Sequence, residues 1–404
     1  MAAARRRFTS VEICAGAGGQ AIGLHQAGFQ HLALIEYDKD ACKTLRKNAA
    51  RLSAKETAVF ERDLNGFTVD PDPKAAGSFG ASALGLVKDG EVVEIDLLAG
   101  GVPCPPFSLA GKQLGRDDER DLFPVMMRMV EALRPKAVMI ENVRGLLEPP
   151  EKFSEYRSEI LQDLRNLGYE AREEWWKVLE ARDFGVPQLR PRAILVAVRR
   201  EYAPYFKGLP EGADEEIFTV HRALQPSMRR RYDELTAWAK ENDEHSLLPL
   251  IEERYAAWEK RASESGSVAP TLVGGSKKHG GADLGPTRAK KAWSVLGVNG
   301  LGVADEVADA NYVRHLLGED GPMLTPSQAA LIQGFPEGWE FEGRKTAKYR
   351  QVGNAFPPPV ARAVGQAIRK ALADAEEQMS TVPVQDPAGF DAKSSGERQY
   401  AGSR

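Results

Sequence analysis

The sequence is poor in cysteine and in long apolar runs. Its three cysteines, Cys14, Cys42 and Cys104, are too few and too scattered for a disulfide framework, and none has a second Cys or His at zinc-ligand spacing. We therefore expect no metal site and a reducing, cytoplasmic environment. No apolar run approaches the ~20 residues that a bilayer span needs, and residues 1–8 are not followed by the apolar stretch of a signal peptide. These absences argue against a membrane anchor.

The chain also lacks a strong excess of charge, since its formal net charge is −4 over 404 residues. Proteins that bind phosphates along their whole surface usually carry many more Lys and Arg than Asp and Glu. Any surface for nucleic acid must therefore be local. With 42% hydrophobic residues, the chain is long enough for one large core and a smaller domain.

Short apolar runs alternate with helical patterns in the first half of the chain. The runs are rich in Val, Ile and Leu, which is typical of buried parallel strands, and lie at residues 11–14, 32–35, 95–98, 137–140 and 193–198. The helical patterns lie at residues 20–27, 38–48 and 154–167. Repeated βα units predict an α/β fold with a doubly wound sheet.

The pattern changes after residue 200. A polar helical stretch over residues 226–262 is followed by a Gly- and Lys-rich region over residues 263–302, which predicts a separate domain. The last residues are polar and small and have little to bury, so they predict a disordered tail.

A glycine-rich turn and two acidic residues suggest a nucleotide-type ligand. Gly16, Gly18 and Gly19 lie between a predicted strand and helix, where they allow a tight turn and close approach of a ligand. Glu36 ends the next strand and Asp63 lies near a third strand end, where acidic side chains can bind ribose and adenine. Both could instead be helix N-caps. Together they predict an adenosine-binding crevice, without distinguishing a dinucleotide from S-adenosylmethionine.

The segment around Cys104 carries the chemistry. This cysteine lies between prolines, which stiffen the loop, at the carboxyl end of a predicted strand. A reactive thiolate is therefore favoured over an inert thiol. Glu141 ends another strand, and Arg190 and Arg192 precede a further one. These three side chains could activate a pyrimidine, or could form a buried ion pair that only joins strands.

The ordered set of motifs resembles the DNA (cytosine-5) methyltransferases of the bacterial type II modification kind. The matching segments are residues 15–19, 103–104, 141–143, 188–192, 324–336 and 351–360. The resemblance covers nearly the whole chain except a variable region between about residues 202 and 321. Several motifs in family order are far more specific than any one of them.

The resemblance implies a fold and a domain organisation. A Rossmann-like, S-adenosylmethionine-dependent methyltransferase domain would comprise residues 1–204 and 345–376. It would be discontinuous, because a helix at residues 359–373 should fold back beside the first strand. A smaller, variable target-recognition domain would comprise residues 205–344, and residues 377–404 would form the tail.

The resemblance also implies a mechanism on a cytosine flipped out of double-stranded DNA. Cys104 would add to carbon 6, Glu141 would hydrogen-bond or protonate N3, Arg192 would contact O2 and Arg190 would help to position the loop. The methyl donor would be S-adenosylmethionine, which leaves as S-adenosylhomocysteine.

The residues implied to line the cofactor come from several motifs. They are Cys14, Ala15, Gly16, Gly18, Gly19, Glu36, Tyr37, Asp63, Leu64, Gly101, Pro103, Leu122, Asn354 and Ala355. Two positions depart from the family. Cys14 stands where most members have an aromatic residue, so Tyr37 could supply stacking instead. Pro105 replaces the usual Gln, which predicts a stiffer loop with retained activity.

The residues predicted to contact DNA are mostly basic. They are Ser108, Gln188, Arg229, Arg230, Thr271, Lys277, Lys278, Arg288, Lys290 and Lys291. Glycines among the later lysines would let the backbone approach phosphates. Such charge clusters can also be solvated faces with no ligand.

Two other functions stay open from the sequence. The same chemistry could act on transfer RNA, although the long variable region favours duplex DNA. A non-catalytic DNA-binding protein that kept the fold is the other, and the complete set of Cys104, Glu141, Arg190 and Arg192 argues against it. We expect a monomer in the bacterial cytoplasm, associated with DNA, with a cognate restriction endonuclease acting separately.

Overall fold

The computed structural model describes residues 6–55, 58–71, 75–103, 121–212, 216–274, 283–306 and 311–381. Its strands are β1 (Phe8–Ile13), β2 (Phe29–Glu36), β3 (Val59–Glu61), β4 (Val87–Lys88), β5 (Glu91–Val92), β6 (Leu97–Gly100), β7 (Ala137–Val143), β8 (Tyr169–Glu170), β9 (Trp176–Glu180) and β10 (Pro191–Arg199). Its helices are α1 (Gly19–Gln26), α2 (Lys39–Lys47), α3 (Phe123–Leu133), α4 (Ser154–Asn166), α5 (Val220–Glu241), α6 (Leu248–Ser265), α7 (Thr287–Val295), α8 (Tyr312–Leu316), α9 (Pro326–Ile332), α10 (Lys345–Asn354) and α11 (Pro358–Thr381).

One mixed sheet organises the first half of the chain. Its strand order is β3-β2-β1-β6-β7-β10-β8, and β9 pairs with a different stretch of β10. The first five strands in this order, β3, β2, β1, β6 and β7, are parallel to one another, and β10 is antiparallel to each of its neighbours. The predicted α/β, Rossmann-like fold is confirmed, and the carboxyl ends of the parallel strands meet at one edge.

The direction of β10 corrects the sequence interpretation. The apolar run at residues 193–198 predicted another parallel strand, whereas β10 pairs antiparallel with β7. An apolar run reports burial on both faces, which β10 has, but it does not report strand direction.

Helices cover both faces of the sheet, and alternate side chains of β7 show how. Val138 and Ile140 belong to the apolar cluster that includes Met126 and Met129 of α3. Their neighbours along the strand point to the opposite face, where the apolar cluster includes Val364 of α11. The sheet is therefore buried on both sides.

Helix α11 returns to the start of the chain and packs on α1. A Cβ atom at Gly23 would lie 2.3 Å from the carbonyl oxygen of Pro358, so only glycine permits this approach. Near its other end, Glu376 binds the ammonium group of Lys136 at 2.8 Å. The predicted return of the helix at residues 359–373 is thus present, and the helix continues to Thr381, beyond the predicted start of the tail. Residues 382–404 lie outside the described residues.

The polar helical stretch predicted over residues 226–262 is two helices. The chain leaves α5 after Glu241, passes Asp243 at φ 59°, and enters α6 at Leu248. Tyr232 and Tyr255 pack edge to face across the pair, with ring centroids 5.4 Å apart.

Among the described helices, none combines the length and the apolar character needed to cross a membrane. The domain boundaries stay a prediction.

Candidate active site

A glycine turn connects β1 to α1 at the carboxyl edge of the sheet. Cys14, Gly16 and Gly18 all have positive φ, and α1 begins at Gly19. A Cβ atom at Gly19 would lie 2.3 Å from the carbonyl oxygen of Phe356, so the segment after α10 lies directly against the turn. A segment near the start of the chain and one more than 330 residues later thus meet at this site.

The turn opens onto a cavity of about 690 Å³. All predicted cofactor residues except one line it, namely Cys14, Ala15, Gly16, Gly19, Glu36, Tyr37, Asp63, Leu64, Gly101, Pro103, Leu122, Asn354 and Ala355. The exception is Gly18, where a Cβ atom would lie 2.9 Å from the ring of Trp339. Gly18 therefore serves packing beneath the turn, because its missing side chain makes room for the indole.

Glu36 joins the end of β2 to the glycine turn. One carboxylate oxygen accepts a hydrogen bond from the amide N–H of Gly16 at 2.7 Å. The other accepts from the N–H groups of Tyr37 and Asp38 at 2.8 and 2.7 Å. Glu36 is thus not a helix N-cap, a role taken by Asp38. A carboxylate has about four acceptor positions, so room is left for a hydroxyl donor in the cavity.

Asp63 combines both interpretations given by the sequence. Its Oδ1 accepts from the N–H of Asn65 at 3.0 Å and caps a short helical turn. The same residue lines the cavity beside Leu64.

Cys14 and Tyr37 lie on the cavity wall near Glu36. Burial raises the pKa of the Cys14 thiol, and the carboxylates of Glu36 and Glu141 raise it further. Cys14 is therefore a neutral wall group. Tyr37 is 69% exposed, so its ring is free to cover a ligand in the way that the sequence predicts.

Glu141 and Arg192 form an ion pair at the same edge. Arg192 Nε lies 2.8 Å from Glu141 Oε1, and the two side chains are 14% and 15% exposed. Glu141 also lines the cavity. Burial raises the pKa of Glu141, while Arg192 and Arg190 oppose the shift without cancelling it. The pair joins β7 to β10, as the structural alternative predicted, and presents a carboxyl group that holds its proton more tightly than usual.

Arg190 lies behind this pair and is 1% exposed. Its guanidinium donates to the carbonyl oxygens of Leu272, Gly353 and Ala355 at 2.7, 2.7 and 2.9 Å. The contacts with Gly353 and Ala355 hold the end of α10 and the segment after it, both of which line the cavity, against the start of β10. Arg190 is thus a positioning residue for that segment, whereas the loop around residue 104 that the resemblance expects it to position lies outside the described residues.

Gln188 corrects the set predicted to contact DNA. It is fully buried, its Nε2 donates to Gln333 Oε1 at 2.7 Å, and its Oε1 accepts from the N–H of Leu272 at 2.9 Å. Its amide is occupied inside the protein. Polar residues next to predicted catalytic residues can be structural as easily as ligand-binding, and the sequence does not separate the two roles.

The basic residues of that set differ in their partners. Arg229 pairs with Asp233, Arg230 with Glu337 and Lys290 with Asp283. The remaining described members are the exposed Arg288 and Lys291, together with Thr271, whose hydroxyl donates to the carbonyl oxygen of Leu189 at 2.5 Å. Cys104, Ser108, Lys277 and Lys278 lie outside the described residues.

The cavity also has lining residues outside the predicted cofactor set. They are Ala17, Gln20, Ile35, Asp38, Ala41, Arg62, Asn65, Arg350, Gln351 and Phe356. Of these, Ala17, Gln351 and Phe356 lie within the matching segments. Several of the others are adjacent in the chain to predicted residues, so their position next to a motif could have identified them from the sequence.

Comparison with known proteins supports one assignment. The model of the C-5 cytosine-specific DNA methylase family matches residues 8–370. The chain is 46% identical over 364 residues to the type II methyltransferase M.NaeI of Lentzea aerocolonigenes, covering 90% of this chain and 75% of that protein. It is 44% identical over 369 residues to M.NgoMIV of Neisseria gonorrhoeae, covering 91% and 98%.

A solved structure resembles the fold. The Dnmt2 methyltransferase of S. pombe matches with a TM-score of 0.52 at 17% identity, covering 91% of this chain and 99% of that one. The likeness to that structure concerns the fold alone. The family match and the two relatives carry the assignment: the chain belongs to the C-5 cytosine-specific DNA methylases.

Proposed function

We propose that the protein is a sequence-specific DNA methyltransferase that modifies carbon 5 of a cytosine flipped out of the duplex. The observation that carries the proposal is the position of Glu141, which lines the same cavity as the glycine turn and pairs with Arg192. A binding crevice and an acid–base group thus share one space. Two relatives are named as type II methyltransferases, which supports a role beside a separate restriction endonuclease.

The cavity has features that fit S-adenosylmethionine. The turn at Gly16 brings backbone to the cavity wall, Glu36 keeps an acceptor position beside it, and Asn354 also lines the cavity. Asp63 and Tyr37 extend the wall along the strand ends, where an adenine amino group and ring could lie. When bound, this cofactor supplies the methyl group, and it leaves as S-adenosylhomocysteine.

The chain's own residues would make the cytosine reactive. The Cys104 thiolate forms a bond to carbon 6, and the displaced electron pair moves toward carbon 5 while Glu141 donates a proton or hydrogen bond at N3. Arg192 would bind O2. After carbon 5 is methylated, its proton passes to solvent, the bond from Cys104 to carbon 6 breaks so that the ring double bond and the thiolate are restored, and any proton taken up at N3 returns to Glu141. Arg190 would hold the cavity wall in place throughout.

Few of the residues predicted to contact DNA have a side chain that is available for it. Arg288 and Lys291 are exposed and available to phosphates, whereas Arg229, Arg230 and Lys290 would have to exchange an acidic partner for DNA. We propose the target-recognition domain at residues 205–344 and the catalytic domain at residues 1–204 and 345–376. The bacterial cytoplasmic location and monomeric state stay predictions.

Covalent trapping tests the proposal. DNA that contains 5-fluorocytosine cannot lose a proton from carbon 5, so an adduct with the protein should form in the presence of S-adenosylmethionine and survive denaturation. Cys104→Ser should abolish it. Bisulfite sequencing of DNA from cells expressing the protein should locate the product and the target site. Methyl transfer to transfer RNA and not to DNA, or to an exocyclic nitrogen, would contradict the proposal.

A further inference from the structure

Gln20 lies in the first turn of α1, directly after the glycine turn, and lines the cavity. Its side chain is buried, since the residue is only 6% exposed. No motif assigned a role to it.

The orientation of the Gln20 amide is fixed by a buried carboxylate. Gln20 Nε2 donates to Glu12 Oε2 at 3.1 Å, and Glu12 is fully buried on β1. On its other side, Glu12 Oε1 lies 3.0 Å from the ring of His31. Because Glu12 Oε2 accepts from the NH₂ group of Gln20, the carbonyl oxygen of the same amide points away from Glu12.

That carbonyl oxygen is left without a partner. Gln20 Oε1 is buried and accepts no hydrogen bond from the described residues. A buried acceptor without a donor is costly, and such groups are usually satisfied by water or a ligand. Because the residue lines the cavity, a donor on a ligand there is the natural partner.

The order of the strands indicates which donor this is. Across the sheet the sequence is β3, β2, β1, β6 and β7. The acidic residues assigned to the nucleoside, Asp63 and Glu36, follow β3 and β2, whereas Glu141 at the reacting end lies on β7. Gln20 follows β1, between these two ends. S-adenosylmethionine carries its N–H and O–H donors on the adenine, on the ribose and on the ammonium group of the amino-acid part. Because Asp63 and Glu36 are assigned to the first two, the donor left for Gln20, one strand further along the sheet, is the ammonium group.

We propose that Gln20 Oε1 accepts a hydrogen bond from this ammonium group, and that Glu12 holds the Gln20 amide in the orientation that makes this possible. The inference rests on the proposed function, because it assumes that the cavity binds S-adenosylmethionine. It adds Gln20 as a binding residue and Glu12 as a positioning residue.

Calorimetry with two ligands tests the inference. The ligands are S-adenosylhomocysteine and an analogue that differs only by lacking the α-ammonium group. Gln20→Met keeps the length of the side chain but removes its amide. It should weaken S-adenosylhomocysteine about tenfold or more, as expected for a hydrogen bond to a charged group, and leave the affinity for the analogue unchanged.

Gln351→Met is the matched control. Gln351 lines the same cavity, but its Oε1 accepts from the Thr44 hydroxyl at 2.7 Å and its Nε2 donates to the carbonyl oxygen of Glu342 at 2.8 Å. It has no acceptor waiting for a ligand. Its substitution should change the affinity for both ligands by the same factor.

The outcomes separate the inference from the proposed function. Equal losses for both ligands in Gln20→Met would overturn the inference and leave the proposed function standing. Failure of the wild-type protein to bind S-adenosylhomocysteine at all would overturn both. Should Gln20→Met not fold, Gln20→Asn gives the same comparison, because it keeps an amide but withdraws it by one methylene.

Discussion

Arg192 Nε lies 2.8 Å from Glu141 Oε1 because β10 runs antiparallel to β7. In this direction Arg192, near the start of β10, is paired with Val143 at the end of β7. A parallel strand would begin at the opposite edge of the sheet and would carry its first residues away from the cavity. The strand direction that the apolar pattern did not reveal is therefore the one that brings the guanidinium to the carboxylate.

The pH dependence of catalysis should report the Glu141 proton. Burial raises the pKa of Glu141, so the proton that we propose Glu141 supplies at the cytosine is held to a higher pH than usual, and turnover should fall as the pH rises through that pKa. Arg192→Gln removes an opposing charge. It should lower kcat and move the alkaline limb of the kcat profile to higher pH, as measured by transfer of labelled methyl to DNA.

Glu141→Gln completes this test. Gln cannot titrate, so the limb due to Glu141 should disappear, and kcat should fall by about 10²–10⁴, the usual contribution of a positioned acid or base. An alkaline limb that stays in place in both variants would assign it to another group.

Arg190 should act on stability as well as on activity. Its guanidinium satisfies the carbonyl oxygens of Leu272, Gly353 and Ala355 inside the protein. Arg190→Ala leaves these acceptors without a donor at about 1–3 kcal/mol each. We expect a loss of about 3 kcal/mol or more in the free energy of unfolding, measured by urea denaturation. Arg200→Ala is the control, because Arg200 is exposed and binds one carbonyl oxygen at the surface. Equal stability of the two variants would contradict the positioning role.

The sequence predicted what depends on local pattern and on ordered motifs. The glycine turn, the acidic strand ends and the returning C-terminal helix follow from residue type and order. The sequence could not separate Gly18, which packs against Trp339, from Gly16, which faces the cavity, because both have the same local role in the turn. The partners of the Gln188 and Arg190 side chains lie at least 82 residues away in the chain. Such long-range contacts are set by tertiary packing, which no local pattern encodes.

The contact between α1 and α11 gives a prediction about the fold. A Cβ atom at Gly23 would lie 2.3 Å from the carbonyl oxygen of Pro358 and 2.5 Å from the Cβ of Ala361. Gly23→Ala should therefore push α11 away and destabilise the protein by about 1–3 kcal/mol, the usual cost of overpacking. Since α11 follows the segment that closes the cavity, affinity for S-adenosylhomocysteine should also fall. Gly145→Ala is the control, because a Cβ atom there meets nothing within 4 Å. Thermal unfolding measures the effect in both variants. Equal unfolding temperatures for Gly23→Ala and Gly145→Ala would contradict the role of Gly23 in the contact between α1 and α11.

Substitutions at Gln188 and Lys291 should distinguish a structural residue from a DNA-binding residue. Gln188→Ala leaves the buried N–H of Leu272 without its acceptor, so it should cost about 1–3 kcal/mol of stability. It should not change the slope of DNA affinity against salt concentration, because no phosphate contact is lost. Lys291→Ala should leave stability unchanged and reduce that slope by about one, as expected when one exposed lysine no longer neutralises a phosphate. Urea denaturation and DNA binding at several salt concentrations measure the two effects. A residue whose amide is occupied inside the protein has no free group for a phosphate. If Gln188→Ala kept full stability and still reduced the slope, this structural role would be wrong and Gln188 would belong to the DNA-binding surface.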